Sequence, residues 1–392
     1  LALAFYLSRQ NFVAAEWRLI LPDACQITAI RNFPGCIHCH AQEGKFMSQT
    51  AYHMAAKVNQ RRIINGHDDV VQLYPIRHRF AWDAYLAGNA NHWLPTEISM
   101  QKDIEQWRSN TILTEDERRV VKIALGFFTT ADSIVANNLV LAVYKHITSP
   151  ECRMYLLRQA YEEAIHTHAY QYIVESLDLD EAEIFTMYQR VGAIYNKDAF
   201  ASELVPQLVQ SDFKTGTLEA DQAFLENLID FYVIMEGIFF YSSFAAMLSF
   251  RRRNLLPGTA EQFQYIMRDE SMHMNFGIDL INQLITEQPE LWHETFRQKI
   301  IRKIIKAAEL EEAYANELMP RGILGLNANS FQDYTRYIAD RRLTALSLPE
   351  RFKVKNPFPW MSEVIDLNKS KNFFETRITE YQTGGALKWD DF

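Results

Sequence analysis

The sequence predicts an all-α protein, a bundle of long helices with a dinuclear metal site in its core. Three observations carry this. Glu163-Ala-Ile-His166 and Glu270-Ser-Met-His273 repeat one pattern, Glu-x-x-His, near the middle of two long helical stretches. At i, i+3 both side chains leave one helix face about a turn apart. Two lone carboxylates, Asp132 and Glu236, lie in equally apolar helical stretches. Two helices that each give Glu-x-x-His and two that each give one carboxylate make the set that holds two metal ions in a four-helix core. No strand alternation and no repeat of 20–50 residues competes with this reading.

The elements follow in order. Thr114-Glu-Asp-Glu117 is a capping box, and it opens a helix running towards Ile147. Ser149-Pro150 reads as an N-cap followed by Pro at the first helical position, with the helix continuing to about Leu177. A shorter helix starts near Leu179. Leu218 to about Asn254 forms one long helix, stopped by Pro257-Gly258. Thr259-Ala-Glu-Gln262 reads as a second capping box, opening a helix to about Thr286. Further helices cover roughly 290–318 and 329–345. The pattern decays after Pro359, and from about residue 366 the chain reads as an extended polar tail. The reading gives three segments: 1–46, a helical domain over 47–365, and a tail over 366–392.

Length and composition bound the answer. The chain has 392 residues, 48% of them hydrophobic and 23% charged, which is globular and large enough for a substantial core. A formal net charge of -9 argues against nucleic-acid binding. The four Cys are clustered, with Cys25, Cys36 and Cys39 near the start and Cys152 alone in the body. No disulfide framework is implied, and a cytoplasmic, reducing setting fits. Leu1 to Leu21 is apolar but interrupted by Arg9, Glu16 and Arg18, unlike a signal peptide. Cys36-Ile-His-Cys39-His40 matches a haem-attachment pattern, but it sits in a segment without periodicity and reads as a stray match. Met47 is a plausible natural start, so residues 1–46 are expected to be dispensable. Phe231 to Phe250 and Ala124 to Tyr144 are long and apolar enough to span a membrane. Each contains a carboxylate, however, and neither has flanking topology signals, so both read as buried bundle helices.

A carboxylate on an apolar helix face is costly unless it is paired or bound to a cation. Asp132, Glu163, Glu236 and Glu270 in one core would repel strongly, whereas with His166 and His273 they balance two divalent ions. Oxygen ligands with imidazole suit iron or manganese. Glu162, at i, i+4 to His166, rivals Glu163; the parallel with Glu270 and His273 favours Glu163. His168 reads as a surface or outer residue.

These residues resemble the radical-generating small subunit of class I ribonucleotide reductase, and the resemblance runs from about Trp93 to the C-terminus. Asp132 and Glu163 are 31 residues apart and Glu236 and Glu270 are 34 apart, in that family's ligand order. Tyr161-Glu-Glu-Ala-Ile-His-Thr-His-Ala-Tyr170 and Arg268-Asp-Glu-Ser-Met-His273 look especially similar. The wording of the helices is most similar to the chlamydial branch, known for Glu at the first ligand position and Phe at the radical position. This chain has Asp132 and Tyr170 there, which favours a tyrosyl-radical type over a mixed manganese–iron type.

The resemblance implies a ferritin-like fold, two iron ions (manganese or a mixed Mn/Fe pair being the alternative), a homodimer, and a large catalytic subunit as partner. It implies a stable radical on Tyr170, enclosed by Phe240, Phe244 and Ile266. It also implies radical transfer through Trp93, Asp269 and the metal-bound His166. Tyr381 and the acidic-aromatic tip Leu387-Lys-Trp-Asp-Asp-Phe392 look like the mobile tail that relays the radical and docks the partner. Diphosphates are the implied substrate, reduced by the partner. Two other readings stay open at this point: a di-metal oxidase or monooxygenase acting on an organic substrate, and a ferritin-like iron-storage protein.

Overall fold

The structure is a computed structural model, described over residues 61–66, 73–323 and 326–361. These all fall within one compact unit of the chain, Ala55–Phe392. Cys25, Cys36, Cys39, His40, Met47, Tyr381, Trp389 and Phe392 lie outside the described residues.

Every element longer than an isolated bridge, among the described residues, is helical. The chain runs through α1 (Arg79–Ala90), α2 (Gln101–Arg108), α3 (Glu115–Asn138) and α4 (Pro150–Ser176). Four short helices follow: α5 (Glu181–Phe185), α6 (Met187–Arg190), α7 (Gly192–Ala201) and α8 (Val205–Leu208). Next come α9 (Leu218–Leu228), a π-helical segment (Ile229–Phe239) and α10 (Tyr241–Arg251). Then come α11 (Pro257–Glu287), α12 (Glu294–Leu318) and α13 (Ala328–Ala345).

The helices α3, α4, α11 and the π segment enclose the core. α3 packs on α4, α11 packs on both the π segment and α10, and α12 and α13 close the outside of the π segment. The two stretches apolar enough to span a membrane are the innermost helices. Over their most apolar windows, Glu115–His146 is 67% buried and Leu218–Arg251 is 100% buried inside the protein itself.

The caps at Thr114 and Ser149 form as expected. Thr114 Oγ1 accepts from Glu117 N–H, and Glu117 Oε2 accepts from Thr114 N–H at 2.8 Å. Ser149 Oγ accepts from Cys152 N–H. Three expectations need correction. The helix from Thr114 does not run to Ile147 in one register; it passes through a π turn at Leu139–Val143 and a 3₁₀ turn at Tyr144–His146. The helix expected over 218–254 is broken into α, π and α parts. The Thr259 capping box does not form, because α11 starts earlier, at Pro257. Its cap comes from α2, where Asp103 accepts from Gly258 N–H at 2.8 Å and from Thr259 N–H at 2.7 Å. A side chain about 150 residues away thus does the job the local sequence was read as doing.

Candidate metal centre and radical site

Each of the four enclosing elements places its candidate residues in the core. α3 supplies Asp132, α4 supplies Glu163 and His166, the π segment supplies Glu236, and α11 supplies Glu270 and His273. All six side chains are buried, none more than 2% exposed. They form two overlapping sets: Asp132, Glu163, His166 and Glu270, and Glu163, Glu236, Glu270 and His273. Within each set one ligand atom per residue lies within 4.8 Å of all the others. Glu163 and Glu270 belong to both sets, so each could reach either of two ions. Asp132 and Glu236 each belong to one.

The two imidazoles face the same way. His166 Nδ1 is 3.0 Å from Glu270 Oε1, 3.6 Å from Asp132 Oδ2 and 3.7 Å from Glu163 Oε2. His273 Nδ1 is 3.1 Å from Glu163 Oε1 and 3.5 Å from Glu270 Oε2. Their outer nitrogens have acidic partners: His166 Nε2 lies 3.4 Å from Asp269 Oδ2, and His273 Nε2 lies 2.9 Å from Glu162 Oε2. An outer carboxylate that takes the Nε2 proton leaves the Nδ1 lone pair pointing inward, as a metal ligand requires. Glu162 is therefore the partner of His273 Nε2, and Glu163 is the carboxylate that faces inward. His168 is exposed, as expected.

The residues fit two cations. Asp132 Oδ1, both Glu163 oxygens, Glu236 Oε2, both Glu270 oxygens and the Nδ1 atoms of His166 and His273 are buried without a hydrogen-bond partner. Eight inward polar atoms in one place are too expensive to leave to one another. Without cations the cluster takes up protons. Burial, aided by Glu163 and Glu270, raises Asp132 to about 7. Burial raises Glu236 well above its ordinary range, with Glu270 adding to the effect. Both imidazoles are pushed up too: burial opposes their charge, but it is outweighed by Asp132, Asp269, Glu163 and Glu270 around His166, and by Tyr155 with Glu270, Glu162 and Glu163 around His273. Two divalent ions would replace those protons.

Tyr170 is fully buried, and its hydroxyl donates to Asp132 Oδ2 at 2.8 Å. Burial, then the Asp132 charge, raises its pKa well above the usual phenol value. Its ring stacks on Phe128, with centroids 5.6 Å apart, and meets Phe263 at 5.9 Å. Of the expected enclosure, Phe240 and Phe244 pack on Phe128, with ring centroids 5.1 and 5.0 Å away, and Ile266 is buried nearby in sequence to Phe263. Phe128 and Phe263 were missed. Phe128 had a signal, since it lies four residues before Asp132 and so shares its face. Trp93 is buried and its Nε1–H donates to Asp269 Oδ2 at 2.8 Å, the same oxygen that faces His166. Asp269 Oδ1 accepts from Arg268 at 2.8 Å; that cation and the bond from His166 outweigh burial and hold the carboxyl well below its usual range.

Comparisons with known proteins agree. The family profile described as "Ribonucleotide reductase, small chain" matches residues 70–357. The chain is 53% identical over 334 residues to the ribonucleoside-diphosphate reductase subunit beta of Chlamydia pneumoniae, covering 85% of this chain and 96% of that protein. It is 31% identical over 329 residues to ribonucleoside-diphosphate reductase small chain 1 of Saccharomyces cerevisiae, covering 83% of this chain and 76% of the other. Among solved structures, the ribonucleotide reductase R2 subunit of Clostridium botulinum superposes with a TM-score of 0.71 at 25% identity, covering 78% of this chain and 94% of that one. With the buried carboxylate and imidazole cluster and the all-α bundle, these matches show that the chain belongs to the ribonucleotide reductase small-chain family, with its ferritin-like fold and its oxidoreductase function.

Proposed function

We propose that this chain generates and stores a tyrosyl radical on Tyr170 and passes it to a large catalytic subunit that reduces ribonucleoside diphosphates. The observation that carries this is the Tyr170 hydroxyl, 2.8 Å from a metal-site carboxylate inside a dry aromatic enclosure. Asp132, Glu163, His166, Glu236, Glu270 and His273 hold two ions, which we assign as iron; manganese takes the same ligands. Bound there, the metal pair with oxygen would supply the oxidising power to remove one electron from the phenol. Tyr170 gives up that electron with its phenolic proton, for which Asp132 Oδ2 is the nearest acceptor. Phe128 and Phe263 exclude water and offer no transferable hydrogen, so the phenoxyl radical persists.

Transfer uses the contact chain from Trp93 Nε1–H to Asp269 Oδ2 to His166 Nε2. Asp269 holds the Trp93 proton donor and the imidazole on one oxygen, so that an electron entering at Trp93 meets a fixed route inward. We further assign Tyr381 as the relay residue beyond Trp93, the tail over 366–392 as the docking segment, residues 1–46 as dispensable, and the working form as a cytoplasmic homodimer. The test is Asp269→Asn, assayed with a ribonucleotide reductase large subunit and a nucleoside diphosphate. The radical on Tyr170 should form, and turnover should fall by more than tenfold. Turnover at the wild-type rate would contradict the relay.

A further inference from the structure

The helix that carries Glu236 changes register twice, from α to π at Ile229 and back to α at Tyr241. A π segment pairs each carbonyl with the N–H five residues on rather than four, and the return to α leaves backbone groups without their usual partners. The whole segment is buried, so other protein groups must take them. The residues that do so come from three outer helices. Arg342 of α13 donates Nε–H to the Gly237 carbonyl at 2.7 Å. Lys197 of α7 donates Nζ–H to the Phe239 carbonyl at 2.9 Å. Ser242 N–H, which an unbroken α-helix would give to the Ile238 carbonyl, donates instead to Glu311 Oε1 of α12 at 3.2 Å. Glu311 Oε2 in turn lies 2.6 Å from Lys197 Nζ.

These are expensive residues to bury. Lys197 and Glu311 are 0% exposed and Arg342 is 4% exposed. A buried ammonium, carboxylate and guanidinium persist only where hydrogen bonds and opposite charge hold them. Their targets flank the metal ligand: Gly237 follows Glu236 directly and Phe239 is three residues on. Gly237 itself is fitted to the contact, since a Cβ there would lie 3.1 Å from Arg342 Nε and 2.9 Å from the Tyr232 carbonyl.

We propose that Arg342, with the Lys197–Glu311 pair, is a positioning device that locks the π register and thereby aims Glu236 at the metal site. Reverting one turn to α would rotate Glu236 about the helix axis and take its carboxylate out of the set it shares with Glu163, Glu270 and His273. The proposal rests on the reading of Glu236 as a ligand.

The test uses Mn²⁺ as the probe on the full-length protein, with binding stoichiometry and the electron paramagnetic resonance spectrum as readouts. Wild type should bind two ions per protomer and show an exchange-coupled pair. Arg342→Met should keep its helical circular dichroism but bind one ion tightly, giving the six-line spectrum of an isolated Mn²⁺, and Glu236→Ala should do the same. Arg342→Lys, which retains a buried donor, should restore the coupled pair. If Arg342→Met fails to fold, the double variant Lys197→Met/Glu311→Gln, which removes both charges at nearly constant size, decides on the same readouts. A coupled two-ion spectrum in whichever variant folds, with only its melting temperature lowered, would overturn the proposal and leave these residues a purely structural role. Two coupled ions in Glu236→Ala would overturn the ligand reading instead.

Discussion

Gly277→Ala should cost this protein one of its two metal ions. Gly277 lies on α11, four residues after His273, where the π segment crosses closest. A Cβ at that position would meet Tyr232 Cγ at 2.0 Å, Cβ at 2.3 Å and Cδ1 at 2.4 Å, whereas ordinary contact begins near 3.4 Å. The shortfall is therefore about 1.4 Å, from 3.4 less 2.0. Rotating the Tyr232 ring does not relieve it, because the Tyr232 Cβ itself is in the way. That ring is also buried, with its hydroxyl donating to Gln159 Oε1 at 2.9 Å. The two elements must separate. Overpacking of this kind costs about 1–3 kcal/mol, which in a chain of 392 residues lowers the melting temperature by on the order of 1–4 °C. The functional effect is sharper, because metal–ligand distances tolerate only about 0.2 Å. Glu236 rides on the π segment and His273 on α11, so a separation near 1 Å opens the set containing both. The Asp132, Glu163, His166 and Glu270 set keeps its geometry when the π segment, which carries none of the four, is the element that moves. The assay is metal content per protomer after anaerobic loading, with Gly192→Ala as control, since a Cβ there meets nothing within 4 Å. Two ions bound at wild-type affinity in Gly277→Ala, with an unchanged melting temperature, would refute the reasoning.

Two further outcomes follow from other contacts. His78 is buried between Ser149 Oγ, at 2.8 Å, and Glu287 Oε1, at 3.2 Å, tying the chain before α1 to the start of α4 and the end of α11. Burial opposes its charge, but the bonds to Glu151 and Glu287 win and raise its pKa, so its stabilisation is full below about 6.5 and is lost as pH rises through the elevated folded value. Burial likewise opposes ionisation of Glu151, but bonds from His78 and Arg77 N–H outweigh it and hold the carboxyl at about 2. Its contribution is present above about 4.5 and is lost as pH falls towards 2. Thermal melts should therefore show the largest gap between wild type and His78→Asn between about pH 4.5 and 6.5, narrowing towards pH 9; a gap constant with pH would contradict this. Phe128→Ala should cost about 3–5 kcal/mol of stability and shorten the life of the Tyr170 radical without lowering its initial yield, as followed by the decay of its resonance signal; a wild-type decay rate would show that Phe128 does not shield it.

The clustered carboxylates and imidazoles were legible because binding a metal would impose a local spacing on them. An i, i+3 pair on one face can be read from four letters, and two such helices, read together with two that each carry one buried carboxylate, leave few alternatives. Thr114 and Ser149 were legible for the same reason, since their caps close within three residues. What escaped depends on distant partners. Nothing near Pro257 announces that Asp103 will cap α11. The π segment has the composition of any buried helix; its register depends on Arg342, Lys197 and Glu311, which lie on other helices. Glu162 was ambiguous because adjacent residues on a helix differ by only about 100° in direction, and the choice between it and Glu163 is made by Arg158, which pairs with Glu162 Oε1 at 3.0 Å, and by His273.

The central claim is that Tyr170 carries the stored oxidising equivalent. The most direct measurement is the electron paramagnetic resonance spectrum of the purified protein after loading with Fe²⁺ and exposure to oxygen, beside Tyr170→Phe loaded identically. The account predicts a tyrosyl radical signal in the wild type, narrowed in the expected way by ring-deuterated tyrosine, and no such signal in Tyr170→Phe, with both proteins binding two iron ions per protomer. A tyrosyl signal that survives in Tyr170→Phe, or a wild type that turns over with its partner while showing none, would contradict it.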